Sequence, residues 1–72
     1  MPRTTDDLVF AQRHVSHGES MVKAQQSIID SGLLSNDDQR TAEAWLAVFK
    51  AGLEKHIAER DKIVEELATR FP

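Results

Sequence analysis

Asp30-Ser31-Gly32-Leu33-Leu34-Ser35-Asn36-Asp37-Asp38 decides how this chain folds. Gly32 can take the left-handed conformation that ends a helix. Three residues later Ser35 offers a hydroxyl cap with Asp38 three positions on, the signature of a helix start. A stop followed so soon by a start leaves only a short link, which makes the two helices antiparallel neighbours. The same start signal recurs upstream in Thr4-Thr5-Asp6-Asp7. Asp is a weaker partner in such a capping box than Glu or Gln, but the extra acids suit the positive end of the helix dipole. The spacing predicts helix 1 over about 6–31, a turn at 32–35 and helix 2 over about 36–70. Together they make a single helical-hairpin domain spanning 1–72. No strand pattern, internal repeat or low-complexity tract interrupts this reading.

A hairpin of 72 residues is short of core. A chain of this length buries only about 60–65% of the surface its unfolded form exposes, so small scaffolds usually add disulfides, a metal or a partner chain. There is no cysteine, which excludes disulfides and thiolate metal sites. Histidine-based metal binding and oligomerisation remain, and the second is far commoner. The net charge of −3 comes from interspersed acids and bases, which weighs against nonspecific binding to nucleic acid or anionic membrane. Arg3, Asp6, Asp7, Arg13 and Glu19 break up the first twenty residues, so neither a signal peptide nor a membrane span is expected. The expected location is the cytoplasm.

Periodicity says more about partners. On a heptad beginning at Leu8, helix 1 carries Leu8, Val15, Val22 and Ile29 in one row and Ala11, Gly18 and Gln25 in the next. Two further rows hold His14, Met21 and Ile28, then Phe10, His17 and Ala24. Four apolar or small rows make a face about 160° wide, more than one neighbouring helix covers. Helix 2 is apolar nearly all round from Ala42 to Leu53, then narrows to a stripe of Ile57, Ile63, Val64, Leu67 and Phe71. A segment apolar all round expects burial all round. Ala44, Ala51 and Ala58 share a row, and with Trp45 and Val48 they read as a surface for a second chain. The bland alternative makes these alanines simple helix formers on an exposed side. Leu67 and Phe71 should overhang the start of helix 1, uncovered in a lone hairpin. The expected architecture is therefore an all-α antiparallel two-helix hairpin that dimerises into a four-helix bundle. The dimer interface is expected at Ala44, Trp45, Val48, Ala51, Leu67 and Phe71.

A turn centred near Leu34 to Ser35 also predicts cross-pairs whose residue numbers sum to roughly 69–70. Gly18 should then face Gly52 and Ala51, Met21 should face Phe49, and Ile28 should face Ala42. A close crossing at Gly18 and Gly52 would explain two mid-helix glycines, each costing about 1 kcal/mol relative to Ala. The competing reading breaks helix 2 at Gly52 and yields three helices.

The same rule sets His56 opposite His14, with His17 one turn away. His14, His17 and His56 are thus candidate metal ligands, since residues at i and i+3 share a helix face. Against a metal, no His-Glu-x-x-His or Glu-x-x-His pattern is present. The three are read as structural or interfacial histidines ahead of a pH-sensitive interface, and metal binding comes last. No metal or cofactor is expected. Arg60 shares a row with Leu46, Leu53 and Leu67, so it should either lay its stem on apolar surface or pair with Asp6 or Asp7.

Nothing else in the sequence carries chemistry: there is no Gly-rich phosphate loop and no Ser/His/Asp spacing worth defending. The expectation is a small non-enzymatic homodimer acting through protein–protein contacts, as a regulator or adaptor, with a different protein as a further partner. The alternative is a helical dimer recognising RNA or DNA by shape. It would use Arg13 and Lys23 beside Gln12, Ser16, Ser20 and Gln26 on the polar face of helix 1.

Overall fold

The computed structural model of the chain describes residues 3–70. Within them α1 (Thr5–Asp30) and α2 (Asn36–Arg70) form an all-α hairpin. The local chemistry accounts for each end. The Thr4 hydroxyl accepts from the Asp7 N–H at 3.3 Å, and the Thr4 N–H donates to Asp7 Oδ2 at 2.9 Å, closing a reciprocal capping box. Asp, though short, reaches. At the far end of α1 the Ser31 N–H donates to the Ser27 carbonyl at 3.0 Å and the Ser31 hydroxyl to the Ile28 carbonyl at 2.6 Å. Gly32 then turns the chain with φ +72°, in the left-handed region that costs an L-residue roughly 1–2 kcal/mol. Ser35 restarts it, accepting from the Asp38 N–H at 3.2 Å. α2 runs without a break through Gly52.

The two helices pack along one seam. From α1 the buried positions are Ala11, Val15 and Gly18; from α2 they are Ala42, Leu46 and Ile63. These fall on the Leu8 and Ala11 rows of α1 and on two adjoining rows of α2. The seam is narrow, and the other apolar rows lie outside it. Along the seam the Gln25 side chain donates to the Ala42 carbonyl at 2.9 Å. Ile28, expected to face Ala42, stays exposed. The expected Ile28–Ala42 pair therefore does not form part of the seam: Ala42 is buried in it and Ile28 is turned out of it.

The hairpin's open end is held by a residue outside the helices. Thr4 is extended, at φ −121° and ψ 168°, as a helix N-cap is. Arg3, just before it, forms ion pairs with both Glu59 and Glu66, the latter at 3.3 Å. Glu59 and Glu66 stand seven residues apart on one row of α2, so one guanidinium can span them. Of the two options for Arg60, the pair with Asp6 or Asp7 is not the one formed. Its guanidinium meets the adjacent Asp61 at 2.9 Å instead of Asp6 or Asp7. Leu67, expected to be uncovered, is half-buried, while Phe71 lies outside the described residues. No helix among the described residues is long and apolar enough to cross a membrane.

Candidate interaction face

One side of the hairpin collects most of what the seam leaves out. On α1 the His14/Met21/Ile28 row and the Phe10/His17 row border the seam. On α2 the row of Trp45, Gly52 and Glu59 borders it from the other helix, with Val48 beside it. Two adjoining grooves run between these rows and share His56. The outer groove, about 200 Å³, lies between Phe10 and His14 of α1 and His56, Glu59 and Ile63 of α2, with Arg3 and Asp7 at its end. The central groove, about 230 Å³, is lined by His17, Gly18 and Met21 of α1 and by Val48, Phe49, Gly52, Leu53 and His56 of α2.

Large apolar side chains flank these grooves and remain in water. Phe10 is 59% exposed, Val48 57% and Trp45 54%. Ile28 is exposed on the same side. Trp45 leans on Phe49 with ring centroids 6.0 Å apart. The Arg13 guanidinium carbon lies 5.9 Å from the centroid of the Phe10 ring, within cation–π range. Ala44 and Ala51, also assigned to an interface from the sequence, are exposed and turned further round α2 than Val48.

The glycines do not meet as expected. A Cβ on Gly18 would stand 3.1 Å from Leu53 Cδ1 and 3.6 Å from Leu53 Cα, so the close approach is between Gly18 and Leu53. A Cβ on Gly52 would meet nothing within 4 Å. The reason is rotational. Leu53 belongs to the row facing α1, and Gly52, one residue earlier, is turned about 100° away into the groove.

The histidines form a pair and a neighbour. The rings of His14 and His56 pack edge to face, with centroids 5.0 Å apart and planes at 79°. His17 sits a turn further along, where it and His56 line the central groove. Edge-to-face packing is how aromatic rings satisfy their quadrupoles against each other. Among the described residues no group of three or more His, Cys, Asp or Glu side chains is placed to hold a metal ion.

The polar face of α1 is spread out. Arg13 is drawn toward Phe10, Gln26 donates to Asp30 Oδ1 at 2.9 Å, and Gln12, Ser16, Ser20 and Lys23 are exposed. Arg13 and Lys23, ten residues apart, point about 80° from each other around the axis. Arg3 is the residue at this end of the molecule that sequence reasoning overlooked. Its signal was available: an arginine just outside an N-cap, facing two glutamates on one row of the other helix.

No protein-family model matches this chain, and neither a curated protein nor a solved structure matches it.

Proposed function

We propose that the chain is a non-enzymatic homodimer acting in the cytoplasm through protein–protein contacts, as a regulator or adaptor. Each hairpin supplies half of a four-helix bundle. One observation carries this reading: the hairpin is too open to be a finished domain. It exposes 5581 Å², whereas a globular monomer of its mass exposes about 4,500 Å². Its radius of gyration is 16.4 Å, against about 11 Å for a compact domain of this length. Only Ala11, Val15, Ala42, Leu46 and Ile63 are buried apolar side chains among the described residues.

The surplus of about 1,000 Å² is close to the ~800 Å² that each partner contributes to a standard stable interface. The surface available for it has the composition of an interface core. The central groove is lined by aromatic, aliphatic, Met and His side chains with no carboxylate, ammonium or guanidinium. Charged Arg3, Asp7 and Glu59 stand at the outer end, where a rim belongs.

Urea unfolding at two protein concentrations tests the reading. For a homodimer whose folded state requires association, a hundredfold rise in concentration stabilises by about 2.7 kcal/mol. With a urea slope of about 1–2 kcal/mol per molar, the midpoint moves up by more than 1 M. An unchanged midpoint over that range contradicts the proposal.

A further inference from the structure

Gly52 has no reason within its own chain to be glycine. It sits in the middle of α2, and a Cβ there would meet nothing within 4 Å. Mid-helix glycine loosens the helix relative to alanine, and here no close approach inside the hairpin requires it. What Gly52 does create is depth in the central groove. Two helical turns away on the same row, about 10 Å along the axis, stands Trp45, a large side chain with half its surface in water. The face thus presents both a projection and a recess.

We infer that a second copy of this chain docks on this face, with Trp45 of each copy seated in the Gly52 groove of the other. This rests on the homodimer proposed above and names its contact. A face that carries its own complement is what two-fold symmetry demands, because each patch must match itself. The axis passes α2 midway between Trp45 and Gly52, near Val48, and the two α2 helices run antiparallel across it. At about 230 Å³ the groove is below the range of small-molecule sites, roughly 300–1,000 Å³, and suits a single large side chain. Tryptophan buried at the centre of an interface is the residue type that most often dominates its affinity. In this arrangement the Arg3–Glu59–Glu66 cluster falls toward the rim, where charged groups keep their water.

The test uses the full chain and two variants, Trp45→Ala and Gly52→Leu. Neither removes a side chain from the buried seam, so both should keep the wild-type helix content by circular dichroism. Each should raise the dimer dissociation constant at least tenfold, measured by sedimentation equilibrium. The double variant should be little weaker than either single one, since both remove one contact. The chain's single tryptophan gives a readout without mutation. Its emission should shift to the blue as wild-type concentration rises through the dissociation constant. Should a variant lose helix content, that titration decides. A wild-type dimer with unshifted emission, or folded variants that dimerise as tightly as wild type, overturns the Trp45–Gly52 contact while leaving a homodimer through another surface. A wild-type chain that stays monomeric at every concentration overturns both, and assigns the face to a different protein.

Discussion

Ile63→Ala should be the most damaging single truncation in this chain, lowering stability by about 3 kcal/mol. Ile63 is 2% exposed, the most completely buried large side chain among the described residues. It closes the seam near the open end, where it lines the outer groove with Phe10 and Ala11. A two-helix seam has few neighbours free to collapse into the space left behind, so the transfer loss and the cavity both count. A domain this size holds roughly 4–11 kcal/mol in total, and the midpoint of thermal unfolding should fall by about 15 °C. Val64→Ala, one residue on and 46% exposed, serves as the comparison and should cost less than about 1 kcal/mol. Calorimetry of the two variants side by side checks the claim. Equal losses would mean that the seam does not pass through Ile63.

Gly18→Leu should be nearly as harmful, for the opposite reason. Here space is missing: even a bare Cβ would lie 3.1 Å from Leu53 Cδ1, and the backbone of α2 follows at 3.6 Å. Alanine would gain about 1 kcal/mol in helix propensity, and moving the flexible end of Leu53 off its rotamer would use most of that. Leucine has no such escape. Its branched end must displace α2 itself, and overpacking of this kind costs about 1–3 kcal/mol. Chemical denaturation of Gly18→Ala and Gly18→Leu should show the first near neutral and the second clearly destabilised. If Gly18→Leu were as stable as wild type, the helices would not be in close contact at Gly18.

The two glycines also show where reading the sequence succeeds and where it stops. The hairpin was legible because its signals are local: the Thr4 and Ser35 caps and the Gly32 turn each depend on residues a few positions apart. The level of His14 against His56 was legible too, since a short turn ties the numbering of one helix to that of the other. Rotation was not. A pairing rule locates residues along the axis, but each step along a helix turns the side chain by about 100°. That is enough to replace Gly52 by Leu53 at the crossing and to leave Ile28 outside the seam. The ion pairs were not legible, for a different reason. Arg60 has its own neighbour Asp61 within reach, whereas Arg3 lies before the helix, where periodicity has nothing to say. Long charged side chains settle by local competition that residue spacing does not rank. For the candidate face, its apolar character and Trp45 and Val48 were readable from the width of the apolar rows. The groove over Gly52 required knowing which way α2 turns.

Dimerisation is the central claim, and solution molar mass by light scattering across a dilution series tests it most directly. The expected result is a mass of twice the chain's 8.1 kDa at high concentration, falling toward a single chain on dilution or remaining double throughout. A well-folded helical species at 8.1 kDa over the whole series, from micromolar to millimolar, would contradict it.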